Sequence, residues 1–376
     1  MKKIVVASDS FKGSMTSLEV ADAVGNGVLR AFPDCKVVKL AMADGGEGTS
    51  AAIDNVLRGE TVVKTVKDPL DRPVHASYLI LPDRKTAVVE IASASGLTLL
   101  EPDERNPLLT STYGTGELIM DALSKGCSRI IVGLGGSATN DAGIGLLSAL
   151  GFRFMHSRSG DGLPAGATMA RVYEIDTLTV PECVWEAEFL LACDVRSPFM
   201  GPEGAVSVFA RQKGASPKDE IALETGMMNM AEVIMQRTGK DVTAIPGAGA
   251  AGGTAGTMTA LLDAKICSGA DLVIGIAGLD REMAGADLVI TGEGCADSQT
   301  LTGKLPFKVA QRASAAGVPV VLVCGKSKME GSHPYFDAVI AVTPPDMLLD
   351  EAMKKETASA NITDAVYGYL KTCVSL

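Results

Sequence analysis

Ile4-Val5-Val6-Ala7, then Ser8-Asp9-Ser10-Phe11-Lys12-Gly13-Ser14, then Val20, Val24, Val28 and Phe32: the chain opens with an apolar run, a polar loop and an apolar stripe of period four. Four consecutive apolar residues cut off by Ser-Asp-Ser read as a strand covered on both faces, and the stripe reads as one face of a helix. Thr16 and Glu19 have capping-box spacing, and Pro33-Asp34 stops the helix before the next apolar run, Val37–Leu40. Parallel strands need such a crossover, so the segment predicts a parallel βαβ unit.

The same pattern returns at the other end, where Leu288-Val289-Ile290, Val318–Val323 and Ala338–Val342 read as central parallel strands separated by helical stretches. Further strands are expected at Thr86–Ile91, Arg129–Val132, Phe152–Met155 and Phe189–Ala192. Helices are expected at Thr115–Lys125, at Asn140–Leu150 and from Met258 through Ile266. The polar stretch Asp68-Pro69-Leu70-Asp71-Arg72-Pro73 and the region near Asp280–Gly285 are candidate junctions. The expectation is an α/β protein in which residues 1–72 and 284–376 form a discontinuous Rossmann-like domain, and residues 73–283 a second α/β domain inserted into it.

With 376 residues, 47% of them hydrophobic and 21% charged, the chain has material for a sizeable core. Aromatic residues make up only 4%, so burial must rest on aliphatic side chains. A formal charge of −11 offers no general attraction to nucleic acid or anionic membrane. Small molecules are the expected partners. After Met1-Lys2-Lys3 the apolar run stops too soon for a signal peptide, and no 18-residue apolar stretch follows, so a cytoplasmic protein is expected. Eight cysteines without a Cys-x-x-Cys pair argue against a disulfide framework or a zinc site. Three histidines shift the expected chemistry toward carboxylates and lysines.

Two glycine-rich stretches stand before helices, where backbone N–H groups can bind phosphate. Gly133-Leu134-Gly135-Gly136-Ser137-Ala138-Thr139-Asn140-Asp141 follows a strand, and Asn140 or Asp141 could cap the next helix. Its spacing also fits G-x-G-x-x-A, but the first acid after the next strand is Asp161, which weakens a dinucleotide reading. Pro246–Gly256 is dense in glycine, for which close approach to a phosphate or close helix packing are the two explanations. Gly325-Lys326-Ser327 lacks the upstream glycine of a Walker sequence, which excludes that NTPase class. Acids sit where strands end: Asp9, Asp44 with Glu47, Asp194, and Glu293 with Asp297. Lys12 and Lys304 lie in the same loops. A strand-end acid is often a helix cap; four such sites flanked by Gly, Ser or Lys point to substrate and magnesium.

Taken together, Asp9–Ser14, Ala43–Thr49, Gly114–Ile119, Gly133–Gly145, Pro246–Gly253 and Ile290–Gly294 make the sequence resemble the bacterial glycerate kinases of glyoxylate, glucarate and galactarate utilisation, in order, from residue 1 to about 345. The resemblance implies ATP-dependent phosphorylation of D-glycerate, usually at the 2-hydroxyl, in a cleft between two α/β domains. Three positions depart from that pattern: Ser8 replaces Pro, Ser197-Pro198 replaces Asn-Pro, and Cys295 replaces Arg. A neutral Cys cannot neutralise phosphate or carboxylate as an Arg would. Phosphoryl transfer needs alignment, a metal, positive charge and a proton acceptor. The corresponding expectation places ATP phosphates on Gly135, Gly136, Ser137, Gly249, Gly252 and Gly253, and Mg²⁺ on Glu293 and Asp194. Lys304 would hold the transferring group, Asp297 would act as general base, and Lys12, Asp9, Ser10 and Asp44 would hold glycerate, in a monomer or homodimer. The competing readings are an NAD-dependent hydroxy-acid dehydrogenase and a two-lobed binding protein.

Overall fold

A computed structural model describes the chain except for residues 44–48, 50–52, 55–56, 157–162, 330–333 and 375–376. In chain order its strands are β1 Lys3–Ser8, β2 Lys36–Ala41, β3 Glu60–Lys67, β4 Pro73–Ile80, β5 Thr86–Glu90, β6 Arg129–Gly133, β7 Arg153–His156, β8 Val172–Asp176, β9 Glu188–Ala192, β10 Lys265–Cys267, β11 Leu288–Ala296, β12 Val320–Ser327 and β13 Ala338–Ala341. The longer helices among the described residues are α1 Ser17–Ala31, α2 Tyr113–Ser124, α3 Pro217–Thr238, α4 Thr254–Leu262, α5 Gly269–Ala277, α6 Leu305–Ala315 and α7 Lys355–Val374. Contacts divide the chain into two units. One comprises Met1–Asp44, Ala51–Leu57 and Ala270–Leu376; the other comprises Gly45–Ser50 and Arg58–Gly269.

In the first unit the sheet order is β13-β12-β11-β1-β2, with every ladder parallel. Ile4–Ala7, Leu288–Ile290 and Val320–Val323 are buried along their length, as strands covered on both faces require. The α1 capping box forms as expected: Thr16 Oγ1 accepts from Glu19 N at 3.3 Å, and Glu19 Oε2 accepts from Thr16 N at 2.9 Å. Helix α1 packs on α7 at Gly27, where a Cβ would stand 2.7 Å from the Thr363 carbonyl oxygen. The pair is flanked by Glu19–Lys355 at 2.5 Å and Arg30–Asp364 at 2.6 Å.

In the second unit the sheet order is β10-β9-β6-β5-β4-β3. Strands β5, β6, β9 and β10 are parallel, and the β3–β4 hairpin closes one side in antiparallel register. The core beneath it is aliphatic, with Tyr78, Phe152, Phe189 and Phe199 among its few aromatic rings.

Several local expectations change. Asp68–Pro73 is the turn of the β3–β4 hairpin, not a junction: Lys67 pairs with Pro73, and the buried Asp68 carboxylate accepts from Leu70 N, Arg72 N and Arg72 Nε at 2.6–2.9 Å. Residues 270–283 group with the first unit, where Asp271 pairs with Lys308 and Arg312, and Asp280 with Arg312. By contacts, Arg58–Gly269 falls in the second unit and Ala270–Leu376 in the first. Helix α4 ends at Leu262 because Asp263 takes a left-handed conformation (φ 53°), after which Lys265–Cys267 joins β9 as a strand. The helix expected at Asn140–Leu150 spans only Ile144–Ala149, started by the left-handed Gly143. Finally, β7 pairs antiparallel with β8 in a separate ribbon instead of extending the parallel sheet beside β6. The strand that follows the Gly133 loop and its helix is thus not the parallel neighbour of β6; that place is taken by β9.

Two glycines in the α1–α7 pair respond in opposite directions to substitution. At Gly368, exposed in α7 with open space around it, Gly368→Ala raises stability by about 0.5–1 kcal/mol. At the contact, Gly27→Leu lowers it by about 1–3 kcal/mol. Urea denaturation of the two variants measures both.

Candidate active site

Each unit carries a polar cluster at the carboxyl edge of its parallel strands. In the first unit the cluster grows from β1 and β11. The loop leaving β1 is tied to β11 by the Asp9 N to Gly292 O bond of 3.0 Å, and it turns sharply, with Phe11 N donating to Met15 O at 2.9 Å. Phe11 is buried over glycines: a Cβ at Gly292 would come 3.7 Å from its ring, and one at Gly294 would come 3.5 Å from its Cα and 3.6 Å from Lys12 N. Glycine in β11 therefore lets the Asp9–Ser14 loop rest directly on the strand. Asp9 Oδ1 accepts from Ser10 N at 2.7 Å, and Lys12 is exposed.

On the same strand Glu293 is only 7% exposed. Thr300, fully buried, donates its hydroxyl to Glu293 Oε1 at 2.6 Å. Lys304 Nζ stands 3.5 Å from Glu293 Oε2 and 3.9 Å from Asp297 Oδ1. Lys304 occupies the N-cap position of α6, and Asp297 N donates to Thr300 Oγ1 at 2.9 Å. Burial raises the Glu293 carboxyl above the usual carboxylate range against the pull of Thr300 and Lys304, while Asp297 adds to the rise. Cys324, opposite Glu293 in the β11–β12 register, has its thiol pushed up to about 12 by burial and by the Glu293 charge. Cys295 is half-buried and lies in register with Lys326.

In the second unit β5, β6 and β9 end level at Glu90, Gly133 and Ala192. The loop after β6 bridges to Gly96 through Leu97 N to Gly136 O (2.9 Å) and Ala138 N to Ser95 O (2.9 Å). Among the described residues, the backbone N–H groups of Gly135, Gly136 and Ser137 donate to no acceptor. Such consecutive amides form an anion-binding concavity. Asp194, exposed, follows β9 at the same edge.

Behind this loop lies a buried network that the sequence did not disclose. Asp141, fully buried, accepts from Thr112 N, Thr112 Oγ1, Gly143 N and Gly145 N at 2.8–3.3 Å. Burial raises its carboxyl despite those four donors. Lys213 Nζ donates to Ser137 Oγ at 2.9 Å and to Thr139 O at 2.6 Å. Within Ala210-Arg211-Gln212-Lys213-Gly214 nothing marks Lys213 as buried, because the left-handed Gly214 against Arg105 O is a long-range fit.

The second glycine stretch packs on the first. A Cβ at Gly252 would stand 2.3 Å from Thr139 O, one at Gly249 2.1 Å from Pro198 O, and one at Gly253 2.7 Å from Met227 Cε. Gly249 N and Gly253 N already donate to Ser197 O and Gly249 O. Close packing accounts for the glycine density of 247–256, and those two amides are committed within the fold.

Of the residues selected from sequence, Glu293, Asp297 and Lys304 meet in one cluster, and Asp9, Ser10 and Lys12 share the loop resting on its strand. Gly135, Gly136, Ser137 and Asp194 share an edge of the other unit. Asp44 lies outside the described residues. Among those residues no group of three or more His, Cys, Asp or Glu side chains is arranged to hold a metal ion, and no helix is long and apolar enough to cross a membrane.

The model of the glycerate kinase family matches residues 4–373. A glycerate kinase of Halalkalibacterium halodurans is 42% identical over 371 residues, covering 96% of this chain and 97% of that protein. The glycerate 2-kinase of Escherichia coli K12 is 39% identical over 355 residues, 94% of this chain and 93% of its own. A crystal structure of a Salmonella typhimurium LT2 protein assigned as glycerate kinase 2 superposes with a TM-score of 0.88 at 38% identity, covering 100% of this chain and 98% of that one. The chain is an α/β phosphotransferase of the kind that acts on a hydroxyl group. It belongs to the glycerate kinase family.

The raised Glu293 carboxyl has a sign that can be measured. Between the ordinary carboxylate pKa and its raised value, the folded chain holds a proton that the unfolded chain has lost. Wild type therefore loses stability relative to Glu293→Gln as pH rises through that window, and the difference is constant above it. Chemical denaturation of the two proteins at successive pH values checks this.

Proposed function

We propose that this chain transfers the terminal phosphoryl group of ATP to a hydroxyl of D-glycerate, giving 2-phosphoglycerate, with 3-phosphoglycerate as the alternative product. The observation that carries the reading is the Lys304 ammonium lying between the Glu293 and Asp297 carboxylates at 3.5 and 3.9 Å. It combines a cation for a transferring phosphoryl group with a carboxylate able to take the hydroxyl proton. Asp297, the more exposed acid, is the general base; Glu293, buried and held by Thr300, orients Lys304.

ATP phosphates are assigned to the undonated amides of Gly135, Gly136 and Ser137; Gly252 packs behind that loop at Thr139 O, whereas Gly249 packs on Pro198 O and Gly253 on Met227 and Phe199. Glycerate carries one carboxylate and two hydroxyls. Lys12 supplies charge for the first; Asp9, Ser10 and Asp44 supply acceptors and donors for the others. Hard oxygen donors suit Mg²⁺, which commonly takes only one or two carboxylates together with substrate phosphates, and Glu293 and Asp194 are the residues proposed to hold it. The ion, when bound, neutralises charge on the phosphate oxygens. ATP as donor fits a cytoplasmic location, and the reading needs one chain, alone or within a homodimer.

Phosphorus NMR of the product formed from ATP, Mg²⁺ and D-glycerate decides both the activity and the hydroxyl used; absence of any phosphoglycerate overturns the proposal. Asp297→Asn is expected to lower kcat by about 100-fold or more, the scale of a lost general base, with unchanged thermal stability. A fall of less than about tenfold removes Asp297 from the chemistry.

A further inference from the structure

Lys213 is 4% exposed, and among the described residues no other lysine or arginine is buried to that degree. It caps no helix and pairs with no carboxylate at ion-pair distance among those residues. Its two contacts are Ser137 Oγ and Thr139 O, both on the loop whose amides at 135–137 are undonated. An ammonium can only donate, so Ser137 Oγ is the acceptor in that bond. The Ser137 hydroxyl hydrogen is thereby directed away from Lys213, and it meets no acceptor among the described residues. The next residues repeat the pattern: Thr139 Oγ1 and both amide atoms of Asn140 are buried without a partner. A buried polar atom without a partner destabilises a folded protein. The donors among them, Thr139 Oγ1 and Asn140 Nδ2, together with the open amides fit a loop completed by an anion; Asn140 Oδ1, an acceptor, carries no part of that reading.

We propose that Lys213 is a positioning residue for nucleotide phosphate: it clamps the Gly135–Thr139 loop and makes Ser137 a hydrogen-bond donor toward the bound phosphate, with its charge behind the loop. The proposal rests on the reading that ATP phosphates occupy Gly135–Ser137. The charge is delicately held. Burial brings the Lys213 ammonium down to about 8, and the facing Asp141 carboxylate opposes that fall. Above that pH the lysine becomes neutral and the loop loses its cation.

The test is steady-state kinetics of the full chain. Lys213→Met is expected to raise KM for ATP about tenfold or more, while kcat and KM for glycerate at saturating ATP stay within about twofold. In wild type, KM for ATP should climb between about pH 7.5 and about pH 9.5, and Lys213→Met should be flat there. Ser137→Ala should reproduce most of the effect, and the double variant should add little, since Lys213 acts through Ser137. A Lys213→Met enzyme with wild-type KM for ATP overturns the proposal while a Ser137→Ala defect leaves the phosphate site standing. Wild-type KM values in both variants overturn both readings. Should Lys213→Met fail to fold, the wild-type profile decides, and a KM for ATP that is constant across that pH range overturns the proposal.

Discussion

A parallel strand covered on both faces can carry polar side chains only where it ends. Ile4–Ala7, Leu288–Ile290 and Val320–Val323 leave no room for a charge along their length, because an unpaired charge inside that aliphatic layer would cost more than the fold's whole margin of stability. Polar chemistry is driven to the strand ends, and since the ladders are parallel the ends align. Asp9, Glu293 and Lys326 stand at one edge of the first sheet for that reason, and Glu90, the Gly133 loop and Asp194 at one edge of the second.

The same burial sets the electrostatics. Glu293 and Asp141 are both pushed toward the neutral acid, and Lys213 toward the neutral amine, each held against that push by specific donors or by an opposite charge. In a chain of net charge −11 the loops that would receive two anionic substrates draw on few cations: Lys304 beside two carboxylates, Lys12 on the β1 loop and Lys213 behind the Gly135–Ser137 amides. Backbone N–H groups supply positive potential there without any further side chain.

Glycine serves two physical ends. At Gly136 it supplies a left-handed turn (φ 75°) in a loop whose amides are open; at Gly249 and Gly252 it lets backbone pass within van der Waals contact of other backbone. In sequence the two look alike, since both are Gly-rich runs before a helix. What separates them is which neighbours the fold brings against each stretch.

The alternation of apolar runs and helical stripes, the capping box at Thr16 and Glu19, the parallel α/β class, the strand-end acids and the family are legible in the chain alone, because each is written in local spacing or in ordered motifs. The meeting of Glu293, Asp297 and Lys304 was also within reach, as all three lie in twelve residues. Tertiary structure alone decided that Asp68–Pro73 is a hairpin turn, that Lys265–Cys267 is an edge strand, and that 247–256 is a packing surface. It alone placed Lys213 against Ser137, 76 residues away in the chain. These outcomes depend on which distant backbone arrives to accept a hydrogen bond or fill a void, and no local pattern carries that information.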